Sequence, residues 1–203
     1  MSPPGRRLGE GPPLRPAIIA AVLQIAGEEG WHALTMRKVA ERIRYSAPMI
    51  YEVFESKEAL CGELVVDGYQ RLYRHMSASA AGLADPGKRL AALLKAFRLF
   101  AWENPAYYQA MYGLAPLSKP GGRPGHEEYA SACLGLVGDA LFQCLSRKSA
   151  VPSLSPLQGA KALIAAAHGV LALHLAGIVP DQREADGLFE QVVGGLLAGW
   201  GIS

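Results

Sequence analysis

Apolar residues in this chain recur at intervals of three and four, the period of a helix with one buried face. The clearest case runs from Thr35 to Lys57, TMRKVAERIRYSAPMIYEVFESK. Met36, Val39, Ala40 and Ile43 make one stripe, and Ala47, Ile50, Tyr51 and Phe54 make a second. Only Arg44, Tyr45 and Ser46 separate them, which leaves room for a tight turn and nothing more. Thr35 and Ser46 are each placed to cap the following helix, since a hydroxyl can accept from an orphan N–H of the first turn. Two short helices joined in this way, the second turning its other face outward, predict a helix-turn-helix, which lays its second helix in the major groove of DNA. Helical hairpins that never touch DNA share the spacing, so periodicity alone leaves both readings open.

The same reading divides the rest of the chain. A first helix is expected over about Pro16 to Glu29, with Ile18, Val22, Ile25 and Ala26 inward, widened by Ile19 and Leu23. Gly30 would end it as a left-handed cap, and Trp31 and Leu34 would close a three-helix core. Ser56 would cap a fourth helix reaching about Ala81, carried by Leu60, Leu64, Val65 and Leu72. Asp85-Pro86, Asn104-Pro105 and Ser155-Pro156 each pair a capping side chain with proline at the first helical position. Asp181 with Glu184 resembles a capping box. Five more helices follow, at about 86–103, 105–116, 127–148, 156–178 and 182–200. Gly113 to Gly125, with Pro116, Pro120 and Pro124, reads as a long irregular loop. The expected fold is all-α, with about nine helices.

Composition changes this picture little. Of 203 residues half are hydrophobic, enough for a core, and the net charge of +2 does not by itself announce nucleic acid. Cys61, Cys133 and Cys144 are an odd number without C-x-x-C spacing, as expected of reduced, buried thiols in a cytoplasmic protein. No signal peptide is read at the start. The apolar stretch from Ala162 to Val179 is broken by His168, Gly169 and His174, and reads as a buried helix rather than a membrane span. Residues 1–14, rich in Pro and Gly and carrying Arg6 and Arg7, are expected to form a disordered arm.

Ala26, Gly30, Leu34, Thr35, Val39, Ala40, Ser46, Ile50, Tyr51, Phe54, Ser56, Lys57, Glu58 and Leu60 stand at the spacing of one family. The segment IYEVFESKEAL resembles the L-Y-x-x-F-x-x-K-x-x-L signature of the TetR (tetracycline-repressor-like) bacterial regulators. The resemblance covers about the first third of the chain. It implies a DNA-binding domain at residues 15–62 and a ligand-binding and dimerisation domain at residues 63–203. It also implies double-stranded DNA as partner and Lys57 as a phosphate contact. Arg15, Thr35, Arg37 and Arg44 are further phosphate candidates, with a solvated surface as the alternative for each. The recognition helix departs from the family pattern. Ser46, Ala47, Pro48, Met49, Tyr51 and Glu52 would face DNA, yet Ala47, Met49 and Val53 offer only apolar contact, and Glu52 repels phosphate while able to accept from a cytosine amine. Few hydrogen bonds to bases are expected, and more reliance on phosphates and DNA shape.

NPAYYQAMYGL and AHGVLAL resemble, more weakly, one class of the family's ligand-binding domain, with its His-Gly pair at His168 and Gly169. Phe97, Phe100, Tyr108, Met111, Tyr112, Phe142, His168 and Leu171 are candidates to line a cavity for a small apolar effector, plain core being the alternative for each. Leu163, Ala167, Val170 and His174 mark one face, and Leu188, Val192, Gly195, Leu196 and Gly199 another, of two late helices that the resemblance pairs across a homodimer. His168 and His174 are too far apart to share a metal, His126-Glu127-Glu128 is not H-E-x-x-H, and no G-x-S-x-G, P-loop or G-x-G-x-x-G occurs. No catalysis, cofactor or metal is implied. A homodimeric repressor gated by an effector is the expected function. The rivals are a regulator controlled by a partner or by its own abundance, and a helical carrier or enzyme with a vestigial DNA domain.

Overall fold

A computed structural model describes residues 13–115, 126–146 and 155–202. Residues 1–12 of the expected arm and most of the Gly113–Gly125 loop lie outside these residues, and the arm's expected last residue, Leu14, instead begins α1. Nine α-helices and no strand occur among them: α1 (Leu14–Glu29), α2 (Met36–Ile43), α3 (Ala47–Val53), α4 (Lys57–Ala80), α5 (Pro86–Glu103), α6 (Pro105–Met111), α7 (His126–Leu145), α8 (Pro156–Leu175) and α9 (Gln182–Gly199). A single 3-10 turn, Trp31–Ala33, follows α1.

The caps decide most boundaries. Thr35, Ser56, Asp85, Ser155 and Asp181 each accept from the backbone N–H three residues on. Ser155 and Gln158 form a full capping box at α8. Two expected caps are not made. Asn104 turns its amide back to the Phe100 carbonyl at 3.2 Å and leaves α6 uncapped by a side chain. Ser46 accepts no side-chain cap bond, because the Met49 N–H goes to the Ser46 carbonyl at 3.1 Å and closes the turn through the backbone. Gly30 is a correction of another kind. Its φ of 83° needs glycine, but its ψ of 162° is extended, so the chain leaves α1 straight into the Trp31 turn.

Helices α1, α2 and α3 pack around Ile18, Val22, Ile25, Leu34, Val39 and Ile50, all essentially without exposure. Helix α4 runs from this unit into the larger body, where it packs on α5, α6 and α7, with α8 against α7 and α9 against α8. Helix α6 is seated on α4 at Gly68, where an added Cβ would lie 2.6 Å from the Met111 sulfur and 3.0 Å from the Tyr107 ring. The Tyr69 hydroxyl donates to the Met111 carbonyl at 3.3 Å, and the Tyr107 hydroxyl to Asp67. From the other side the Trp31 indole N–H donates to Gln109 at 2.9 Å. One short helix therefore touches the small unit, the connecting helix and the body core.

Helix α8 is long and apolar enough to cross a membrane by composition, and a third of its most apolar window is buried. One such helix is weak evidence of a span, since a helix of a folded core passes the same test.

Candidate functional site

The outer face of α3 is built by what its inner face must do. Ile50 is buried and Phe54, just past the helix, is 2% exposed, so both anchor the small core. Pro48, Tyr51 and Glu52 are then turned outward, with Tyr51 51% exposed, while Ala47, Met49 and Val53 are half-buried. The turn into α3 depends on Arg44, which takes the left-handed conformation (φ 61°, ψ 43°) and donates its N–H to the carbonyls of Ala40 and Glu41. A side chain rarely accepts that conformation, which costs on the order of 1 kcal/mol. Arg44 is exposed in this turn, three residues before α3 begins.

Most other cations of this unit already have anionic partners. Arg15 pairs with Glu63, reaches the Val53 carbonyl at 3.4 Å and stands 4.7 Å over the Phe54 ring. Arg37 pairs with Glu41 at 2.8 Å, Lys38 with Glu29, and Arg42 with Glu28 at 2.7 Å and Glu29 at 3.0 Å. The Lys38 hydrogen bond holds the Glu29 carboxyl below its ordinary range. Lys57 donates to the Leu34 carbonyl at 2.8 Å, one of its three N–H donors, so the ammonium is aimed and keeps two donors to give. Residues 13–64 carry six Lys or Arg against seven Asp or Glu. A surface so balanced releases few counterions, and its electrostatic hold on a duplex is weak.

In the body, Tyr69, Met76, Phe97, Tyr112, Ala130, Cys133, Leu134 and Ile164 line a cavity of about 100 Å³. Behind Tyr112, the rings of Tyr108 and His168 stack on it with centroids 4.6 and 4.9 Å away. The Tyr108 hydroxyl and His168 Nδ1 are hydrogen-bonded at 2.8 Å. Burial lowers the His168 pKa and raises those of Tyr108 and Tyr112. A second, larger concavity of about 680 Å³ opens between α1, α4 and α6, walled by Ile19, Leu23 and Val66 with Arg15, Glu63, Asp67 and Arg71 at its edges.

The comparisons with known proteins bear on both halves. Residues 18–64 match the bacterial regulatory proteins of the tetR family, and residues 90–196 match the tetracyclin repressor-like C-terminal domain. The chain belongs to the TetR family. It is 29% identical over 93 residues to an uncharacterised HTH-type transcriptional regulator, YobS of Bacillus subtilis, covering 46% of this chain and 48% of that one. With the uncharacterised HTH-type regulator Rv0681 of Mycobacterium tuberculosis it shares 27% identity over 191 residues, 91% of this chain and 80% of that one. The first of these matches thus spans about half the relative's length. The transcriptional regulator FadR of Bacillus subtilis, solved with stearoyl-CoA, has the same fold: TM-score 0.70, 15% identity, 88% of this chain and 97% of that one.

In this TetR-family regulator the sequence expectations divide unevenly. Thr35, Arg37, Arg44, Ser46, Pro48, Tyr51 and Glu52 are exposed on α2, α3 and the turns that lead into them. Arg15, its side chain half-exposed, is engaged by Glu63 and the Val53 carbonyl, which ties α1 to α4 and α3. Of the eight cavity candidates only Phe97 and Tyr112 are among the lining residues. Tyr108 and His168 stand behind Tyr112, and Phe100, Met111 and Leu171 are buried outside the lining. Phe142 points out of the body, 56% exposed, because the inner face of α7 is taken by Val137, Leu141 and Cys144. Tyr69, Met76, Ala130, Cys133, Leu134 and Ile164 were missed, since their helices meet only in the tertiary fold. Leu163, Ala167 and Val170 are also corrected: they are buried within the chain and cannot face a partner. His174 is occupied by the Val179 carbonyl at 2.7 Å and the Trp102 ring. Leu188, Val192 and Leu196 are half-buried, while Gly195 and Gly199 are open. The surface left exposed is rotated from the expected one and carries Ala165, Gly169 and Leu173 on α8 with Gly187, Gly195 and Ala198 on α9.

Proposed function

We propose that this TetR-family transcriptional regulator is a cytoplasmic homodimeric repressor of a palindromic operator, released by a small apolar effector. The observation that carries the DNA half is the outward face of α3, with Tyr51 and Glu52 exposed, together with the exposed Arg44 in the turn that precedes it and the aimed ammonium of Lys57. Residues 15–62 read the operator, and residues 63–203 bind effector and partner. Phosphate contacts come from Lys57, Arg37 and Arg44, with the hydroxyls of Thr35, Ser46 and Tyr51. Ala47, Pro48 and Met49 meet base edges by shape alone.

The open glycines of α8 and α9 and the exposed Leu173 support a four-helix interface between two copies, since small residues let backbones approach. A two-fold dimer of this kind would set its recognition helices roughly 34–36 Å apart. Helix α6 supports the coupling. It holds Trp31 through Gln109 and the cavity wall through Tyr108 and Tyr112, so a guest that shifts Tyr112 strains the seat of the small unit. The effector acts only by its difference in affinity between the two arrangements, and a coupling of about 1–3 kcal/mol suffices for regulation. The stearoyl-CoA of the Bacillus subtilis relative carries a long chain and charged phosphates, and a cavity of about 100 Å³ without charged walls receives neither.

Gel retardation with DNA flanking the protein's own gene tests the reading, together with sedimentation of the free protein. Retardation at low salt by a dimer is expected. Absence of any shift, or a monomer that still binds, refutes it. Leu173→Asp is expected to abolish both dimer and shift while the helical circular dichroism persists.

A further inference from the structure

The small cavity has a chemistry as well as a size. Three rings, Tyr69, Phe97 and Tyr112, meet there at an angle to one another: Phe97 stands at 90° to Tyr112 with centroids 6.0 Å apart, and Tyr69 at 56° and 5.9 Å. A ring-sized guest would meet both faces and edges, the two arrangements in which aromatic pairs attract. Met76 and Cys133 add polarisable sulfur, and Leu134, Ile164 and Ala130 add aliphatic surface.

Among the described residues no carboxylate, ammonium or guanidinium lines the space. An ion entering it would surrender its hydration and gain no counter-charge. The attraction of ring faces for a cation is small beside that loss. The neighbouring polar groups already serve one another: Tyr69 donates to the Met111 carbonyl, and Tyr108 and His168 are paired. Burial pushes both Tyr69 and Cys133 up to about 12, so neither offers an anion near neutral pH.

Size limits the guest further. An engineered cavity of about 150 Å³ in another protein takes benzene. The space here, about 100 Å³, is of the same order, and Met76 on its wall is a flexible side chain that can yield.

We infer that the effector site selects a neutral, compact, apolar molecule of about one ring, and rejects organic anions, quaternary ammonium cations and extended acyl chains. The inference rests on the effector reading above and names its ligand class. The Ala130 and Ile164 positions set the size limit, because they close the space from α7 and α8.

The test uses the full-length protein and four probes at matched concentrations: toluene, benzoate, benzyltrimethylammonium and octanoate. Toluene is expected to raise the unfolding midpoint by roughly 5–10 °C at a hundredfold excess over its dissociation constant. The three charged probes are expected to leave the midpoint unmoved. Ala130→Leu, which fills the space, should remove the toluene response. Ile164→Ala, which enlarges it, should extend the response to naphthalene and covers the case in which the filled variant fails to fold. A response to the charged probes equal to that of toluene overturns the inference, as does no response to toluene, or a toluene response that survives in folded Ala130→Leu. Gel retardation in parallel separates the two readings. If toluene binds but operator DNA is held unchanged, the ligand class stands and the gating falls.

Discussion

Replacing Gly68 by alanine tests the seat of α6 directly. The added methyl carbon would lie 2.6 Å from the Met111 sulfur, 2.9 Å from its Cγ and 3.0 Å from the Tyr107 ring. Ordinary contact begins near 3.5 Å, so the helix must rise by up to about 1 Å or Met111 must change rotamer. Two effects oppose each other. Alanine stiffens the unfolded chain and suits a helix, which favours folding by about 0.5–1 kcal/mol. Overpacking at a buried contact costs about 1–3 kcal/mol. The clash falls on two neighbours at once, and one of them, Met111, has its carbonyl tied to Tyr69, so the second effect should win with a net loss of roughly 1 kcal/mol. Denaturant unfolding of the wild type, Gly68→Ala, Met111→Ala and the double variant would measure it. Met111→Ala should be costly alone, about 2–4 kcal/mol. The double variant should be more stable than the sum of the two losses by about 1 kcal/mol, because the added methyl then fills the vacated space. The reasoning fails if Gly68→Ala is stabilising, or if the two losses simply add.

Other expectations follow from the charges of the DNA-reading unit. Arg15→Ala should lower stability by about 1 kcal/mol, the scale of one exposed ion pair and one cation–π contact, and leave the salt dependence of DNA binding unchanged. Lys57→Ala should reduce the slope of log affinity against log salt by about one, and equal slopes for all three proteins would contradict the assignment. Glu52→Gln should tighten binding to arbitrary DNA about twofold at low salt, the size of one repulsion at about 8 Å in water, and weaker binding in a fluorescence anisotropy titration would oppose it. His168 has its pKa lowered by burial, so the unfolded chain takes up its proton first as pH falls. Stability from this group is therefore complete above about 6.5 and declines below it towards the lowered folded value. His168→Asn should flatten that decline in thermal scans between pH 7 and 5.

The hydrophobic period and the capping residues determined where most helices start, because both act within one turn of chain, but not every end: α6 stops at Met111 and α8 at Leu175, five and three residues short of the expected ends. Asp85 with Pro86 and Ser155 with Gln158 start α5 and α8 where the local rules place them. The family spacing from Ala26 to Leu60 likewise identified the DNA-reading unit before any coordinate. What the sequence left open were the choices made by neighbours distant in the chain. Glu28 and Glu29 neutralise Arg42 and Lys38 across the α1–α2 contact, and Glu63 holds Arg15 from 48 residues away. No local pattern signals either. The rotation of α8 was ambiguous for the same reason: its composition is apolar on most sides, so only packing against α7 selected Leu163, Ala167 and Val170 for the interior and left Ala165, Gly169 and Leu173 outside. A strongly amphipathic helix such as α2 declares its buried face, whereas a helix apolar nearly all round is oriented by the partners that the fold brings to it.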